Sequence, residues 1–229
     1  MSSHTTIVEL SHNPTAATCS PQARVTRSLL GYGVLAGPLY VLVSLTQAAT
    51  RPGFDPSRHA WSLLENGALG WIQITNFIVT GLMTVAAAVG IRRSLAPGRA
   101  RTWAPVLIGA YGVGLVGAGI FRADPMQGFP VGTPQTTTIS WHGMLHLMVG
   151  AIGFGCLIAG SLVLARRFAR EDRRGLAWFS RIAGVGLFAG FAGIASGSHG
   201  PTTLAFVAAI VTVCVWLSTV SAHLYRTAS

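Results

Sequence analysis

Six long apolar stretches, almost free of charged side chains, constrain this chain more than any other feature. An α-helix rises about 1.5 Å per residue, so a stretch of about 20 apolar residues can cross a bilayer. The predicted spans are Leu29 to Thr50, Trp71 to Ile91, Trp103 to Phe121, Trp141 to Ala165, Phe179 to Ser196 and Thr202 to Tyr225. The predicted fold class is therefore all-α: a polytopic transmembrane bundle of six helices.

The composition supports lipid as the solvent of this chain. Hydrophobic residues make up 51% of the sequence and charged residues only 10%, whereas soluble domains carry about 25% charged residues. A chain of this size could not hide so much apolar surface in one water-soluble core. We expect residues 1–27 to be a disordered cytoplasmic tail and residues 28–226 to form the six-helix transmembrane domain.

The basic residues lie on one predicted side of the membrane. All sixteen are arginines, and thirteen fall in the tail, in residues 92–101, in residues 166–181 and at Arg226. The other three are Arg51, Arg58 and Arg122. This is the positive-inside pattern of a multi-pass plasma-membrane protein with both termini in the cytoplasm, and it argues against a nucleic-acid partner.

Glycine pairs in the fifth span have the spacing that lets helices approach closely. Gly186 and Gly190, and Gly193 and Gly197, are four residues apart, and small residues at this spacing bring helix backbones together in membranes. We expect packing within one bundle, with a homo-oligomer through glycine-rich faces as the alternative.

Chemically active side chains gather on the predicted outer side. Four histidines are placed there, namely His59, His142, His146 and His199, with the carboxylates Asp55, Glu65 and Asp124. His142 and His146 are four residues apart, so they lie close together on a helix. A histidine inside an apolar span is costly unless it is paired, which favours a functional role, although it could simply cross-link two helices.

Two functions fit this outer cluster. The first is a vestibule, lined by His, Asp and Glu, that binds a small ligand, proton or ion, with His59 and Asp124 as ligand-binding residues. The alternative is a metal-dependent hydrolase acting at the outer leaflet, with a divalent metal such as zinc held by His142, His146 and His199. Asp124 or Glu65 would be the base in that enzyme, but the sequence identifies no catalytic residue and no substrate.

The loop between the first two spans has a helical pattern of its own. Ser57 stands at the expected start of a short helix and Gly67 just past its end. Because this segment carries Trp61, Leu63 and Leu64, we expect it to lie in the membrane interface and to cover the outer vestibule.

Several short motifs carry a resemblance to a known family. They are Trp61 to Trp71, Asn76-Phe77-Ile78 with Gly81, Phe121 to Pro125, and His142-Gly143 with His146. In these motifs the chain resembles the bacterial membrane family called domain of unknown function 998, over about residues 28–225. The resemblance implies a six-helix membrane protein and adds no reaction.

Overall fold

The computed structural model describes residues 20–135, 138–197 and 200–228, and this part of the chain is helical with connecting loops. The helices are α1 (Pro21–Thr50), α2 (Gly70–Ser94), α3 (Arg99–Ile120), α4 (Trp141–Arg170), α5 (Arg174–Ala195) and α6 (Gly200–Thr227). All six are long and apolar enough to cross a membrane. The predicted all-α fold with six spans is confirmed, including the short fifth span.

The six helices form a ring in chain order. Each helix packs on its neighbours in the sequence, and α6 completes the ring by packing on α1. Residues 95–98 and 171–173 are the short connections from α2 to α3 and from α4 to α5, so these neighbours run antiparallel. The ring places inward-facing residues of all six helices around a common centre.

The two ends of the ring differ in their loops. We call the end with residues 92–101 and 166–181 the arginine end, and the end with residues 51–69, 121–135 and 138–140 the long-loop end. Trp71, Trp103 and Trp141 are each more than half exposed at the end of a helix, where amphipathic rings prefer the headgroup level of a bilayer. The aromatic residues therefore mark the depth of the membrane, while the assignment of the arginine end to the cytoplasm stays a prediction.

Glycines bring neighbouring helices into backbone contact. A Cβ atom added to Gly81 of α2 would lie 2.5 Å from the carbonyl oxygen of Gly112 on α3, a separation that no side chain tolerates. In the fifth span, Gly190 packs on Phe206 of α6, whereas Gly186 has open space around its Cα. The expected packing within the bundle is present at Gly190, and the homo-oligomer stays a prediction.

Helix α1 begins earlier than the predicted domain boundary. The hydroxyl of Ser20 accepts a hydrogen bond from the backbone N–H of Ala23 at 3.2 Å, and Pro21 occupies the first helical position, both of which favour a helix start. The side chain of Arg27 donates to the carbonyl oxygen of Ala228 at 3.0 Å. Residues 21–27 are thus helical, whereas residues 1–19 of the predicted tail lie outside the described residues.

The short helix before α2 differs from the prediction. It is a 3₁₀ helix of five residues, Trp61–Glu65, and the Trp61 and Leu64 side chains are buried. Arg51, at the end of α1, donates from its guanidinium to the carbonyl oxygens of Leu64 at 3.2 Å and Asn66 at 2.6 Å. These bonds hold the segment inside the mouth of the bundle, and its position relative to the membrane interface stays a prediction.

Candidate ligand-binding cavity

A cavity of about 520 Å³ occupies the long-loop half of the ring. All six helices and the 3₁₀ helix contribute to its wall, which contains seven aromatic residues: Tyr40, Trp61, Phe77, Tyr111, Phe154, Phe191 and Phe206. Ligand sites in proteins have volumes of about 300–1,000 Å³ and mostly apolar walls. The cavity has the size and lining of such a site.

Aromatic rings form a continuous wall beneath residues 61–66, which we call the cover. The ring centroid of Tyr40 lies 5.8 Å from that of Trp61 and 5.7 Å from that of Phe77. The Phe77 ring meets the His146 imidazole edge-on at 6.2 Å. The cover, α1, α2 and α4 are thereby joined through one set of ring contacts on the cavity surface.

A second aromatic cluster forms the deep wall. Phe154 of α4 lies 5.3 Å from Phe191 of α5, 5.6 Å from Phe206 of α6 and 6.2 Å from Tyr111 of α3 between ring centroids. Phe154 follows His146 by eight residues, which places it about 12 Å further along α4. The cavity is therefore deep, and its far part is wholly aromatic and aliphatic.

Some residues that line the cavity are also exposed in the long-loop half of the ring. Leu147 and Ala151 of α4 and Ala195, the last residue of α5, line the cavity and are also exposed. Arg58, Asp124 and Gln127 add polar groups to the same end of the cavity. The cavity wall therefore has exposed apolar residues on α4 and α5 and polar groups from the loops.

His146 is the histidine that reaches the cavity from within a span. Its Nδ1 atom lies 2.8 Å from the carbonyl oxygen of Phe121 and 3.2 Å from that of Ala118. A nitrogen that faces carbonyl oxygens carries the proton, so in the neutral ring Nε2 is an acceptor. Nε2 receives no hydrogen bond from the described residues, and the ring lines the cavity.

Glu65 stands behind His146 as a fully buried acid. Its Oε2 atom accepts a hydrogen bond from the N–H of Ala123 at 3.1 Å and lies 3.4 Å from Nδ1 of His146. Its Oε1 atom has no hydrogen-bond partner among the described residues. Burial raises the pKa of Glu65 to about 8, against the opposing effects of the Ala123 bond and the Arg122 charge. The acid is therefore largely protonated at neutral pH.

A buried amide network supports the same wall and was missed in the sequence. Gln47 of α1 donates to Oε1 of Gln73 on α2 at 2.8 Å. Asn76 donates to the hydroxyl of Ser44 and to the carbonyl oxygen of Tyr40, each at 3.2 Å. Amide side chains within apolar spans could have indicated it, because such groups need partners in lipid. The network fixes the α1 segment that carries Tyr40.

The two predicted ligand-binding residues have different surroundings. His59 is buried, accepts a hydrogen bond at Nδ1 from the N–H of Asp55 at 2.9 Å and donates from Nε2 to the carbonyl oxygen of Gln127 at 3.1 Å. It does not line the cavity. Asp124 does, and its carboxylate accepts from the N–H and hydroxyl of Ser140 at 2.7 and 2.6 Å. Asp124 anchors the start of α4, whereas both nitrogens of His59 are used within the loop.

The predicted metal ligands do not come together in the described residues. His142 is exposed, with its ring 3.5 Å from that of Trp141, whereas His146 is buried. Across residues 20–135, 138–197 and 200–228, no group of three His, Cys, Asp or Glu side chains could hold a metal ion. His199 lies outside these ranges, so the zinc site and the hydrolase stay predictions.

Comparison with known proteins gave one match. The family model described as protein of unknown function, DUF998, matches residues 34–223, a range that begins in α1 and ends in α6. No curated protein and no solved structure matches the chain. The resemblance predicted from the short motifs is thereby confirmed over the whole ring of helices.

Proposed function

Because the chain belongs to the DUF998 family of proteins of unknown function, we propose a function from its cavity: it binds a small amphipathic molecule that enters from the membrane. The observation that carries this proposal is the apolar cavity of about 520 Å³, whose lining includes Leu147 and Ala151, two residues that are also exposed. A lateral opening beside these two residues, at the depth of the lipid headgroups, would suit a molecule that already resides in the bilayer.

Because the ligand would come from lipid, only some of its chemical groups can give it affinity for the cavity. A molecule that moves from lipid into an apolar cavity exchanges one apolar environment for another, so burial of its chain adds little affinity. Affinity must then come from shape and from polar contacts that are strong in a site of low polarity. Nε2 of His146 supplies an acceptor there. The ligand is therefore an apolar molecule with a hydroxyl or similar hydrogen-bond donor near one end.

The predicted topology places this site at the outer leaflet. The thirteen arginines of the tail, the arginine end and the C-terminal helix indicate a cytoplasmic location for that end under the positive-inside rule. The opening at the opposite end would then face the outer leaflet of the plasma membrane. A ligand would reach it from that leaflet without crossing the bilayer.

Two glycines of α4 give a matched test. Gly150 lines the cavity and Gly155 does not, and a Cβ atom added at either position meets nothing within 4 Å. A Gly150→Leu variant should therefore fill the cavity without disturbing the helix, while Gly155→Leu adds the same side chain on another face. The probe is a long-chain alcohol that carries a diazirine, applied to the purified protein in lipid nanodiscs.

The expected result is photolabelling of cavity residues in the wild type that falls several-fold in Gly150→Leu and is unchanged in Gly155→Leu. Peptide mass spectrometry locates the label, and helical content by circular dichroism confirms that both variants are folded. Equal labelling of the three proteins, or a label confined to the outer helix faces, would refute the proposal.

A further inference from the structure

A second concave surface lies at the arginine end, between α3 and α4. It has a volume of about 840 Å³, and its lining includes Arg99, Arg166, Arg167 and Arg170 with one acidic residue, Glu171. It is at the opposite end of the ring from the cavity and shares no lining residue with it. This surface has no part in the function proposed above.

The charges of this surface are not balanced. Arg167 is paired with Glu171, with Nε 2.7 Å and Nη2 2.6 Å from the carboxylate oxygen, and its Nη1 donates to the carbonyl oxygen of Ala96 at 3.0 Å. Arg99, Arg166 and Arg170 are exposed and make no hydrogen bond with the described residues. Three like charges therefore converge on one concave surface, and an anion placed among them would relieve their repulsion.

Two further features of the surface suit a lipid headgroup. Helix α3 begins beside it at Gly98, which has φ of 143° and provides no side-chain cap. The N–H of Arg101 donates to the Gly98 carbonyl oxygen at 3.1 Å, which leaves the N–H groups of Arg99 and Ala100 for an anion. Trp103 and Val163 supply apolar lining, and the Trp103 side chain is 56% exposed at the level where the span begins. A phosphate can meet the guanidinium groups while acyl chains lie along the outside of α3 and α4.

We propose that this surface binds the phosphate headgroup of an anionic phospholipid. Basic pockets between transmembrane helices commonly hold such headgroups, and each nearby arginine adds to the attraction. Arginine suits this role because its planar guanidinium binds phosphate oxygens with two parallel hydrogen bonds. The lipid joins α3 to α4 at a point where their own side chains repel.

The test compares two triple variants that remove the same charge. In the first, Arg99, Arg166 and Arg170 are each replaced by Gln. In the control, Gln replaces Arg24, Arg174 and Arg226, which are exposed, lie outside this surface and have no side-chain hydrogen bond to the described residues. Native mass spectrometry of the detergent-purified proteins measures retention of phosphatidylglycerol against phosphatidylcholine, and thermal unfolding is followed with each lipid and with inorganic phosphate.

We expect the wild type and the control to retain phosphatidylglycerol in preference to phosphatidylcholine. In the variant without Arg99, Arg166 and Arg170, this preference should be lower by about tenfold or more. Phosphatidylglycerol, but not phosphatidylcholine or inorganic phosphate, should raise the unfolding temperature of the wild type. Equal loss of preference in both triple variants would show a general charge effect and overturn the site. Equal stabilisation by inorganic phosphate would overturn its assignment to a lipid.

Discussion

The buried carboxyl of Glu65 should make the stability of this protein fall as pH rises. Its folded-state pKa is about 8, against an ordinary value of 4.5, so between these values the folded chain binds a proton that the unfolded chain releases. Stability decreases with pH wherever the folded state holds more protons. The perturbation is Glu65→Gln, which keeps the shape of the protonated acid but cannot ionise.

The magnitude follows from the two pKa values. Each pH unit of difference corresponds to about 1.4 kcal/mol, so a pKa of about 8 against 4.5 gives up to about 5 kcal/mol, all of it lost by about pH 9. Most of this loss accumulates between about pH 5 and pH 8. The Gln variant lacks this loss, so its advantage over the wild type should grow steadily across that range.

The assay is thermal unfolding in detergent between pH 5 and pH 9. The difference between the two curves reports the ionisation of Glu65 together with any effect of the substitution on His146, whose Nδ1 lies 3.4 Å from Oε2 of Glu65. Glu171→Gln is the control, because it makes the same substitution at an exposed residue, which is paired with Arg167. Parallel curves for the wild type and Glu65→Gln would refute a protonated Glu65, as would an equal divergence in the control.

Three further predictions concern packing, the cover and the ligand anchor. Gly81→Ala should lower the free energy of unfolding by about 1–3 kcal/mol because its Cβ would press on the Gly112 carbonyl oxygen, whereas Gly150→Ala should leave stability unchanged in the same thermal assay. Arg51→Met should cost about 2 kcal/mol or more, because two carbonyl oxygens of the buried cover lose their donors. His146→Phe should reduce photolabelling by the long-chain alcohol about fivefold through loss of one hydrogen bond.

A specific result would contradict each of these expectations. Equal stability of the Gly81 and Gly150 alanine variants would show that α2 and α3 can separate at no cost. An unchanged Arg51→Met protein would mean that the cover is held by apolar packing alone. If the alcohol labels His146→Phe as well as it labels the wild type, Nε2 is not the anchor.

The helices could be predicted because lipid imposes a simple rule on sequence. Each span must be long and apolar and must satisfy its backbone internally, so hydropathy alone located all six. Terminal aromatic residues such as Trp71 and Trp141 confirmed the boundaries through their exposure. These properties depend only on the sequence of each segment and on lipid as its solvent, so they can be predicted without knowing which helices pack together.

The site could be predicted only in part, because it depends on which helices meet. His146 was identified from the cost of a histidine inside a span, and it does line the cavity. His142, four residues earlier, was expected to act with it, but it lies in the first turn of α4 and is exposed. The aromatic wall comes from residues far apart in the chain. Phe154 and Phe206, for example, look like ordinary apolar residues of their spans.

Side chains fill the interior of the ring in its arginine half but leave a cavity in its long-loop half. In the arginine half, Leu164, Phe168 and Trp216 are almost completely buried, and the indole N–H of Trp216 donates to the hydroxyl of Ser180 at 2.9 Å. The cavity in the other half is therefore closed on the arginine side, and under the proposed function it would open toward one leaflet. The occupancy of the cavity would then depend on the concentration of the ligand in that leaflet alone. If the proposed function holds, the ligand would leave by the opening through which it entered, so the protein would hold a molecule from one leaflet and would not conduct it across the membrane.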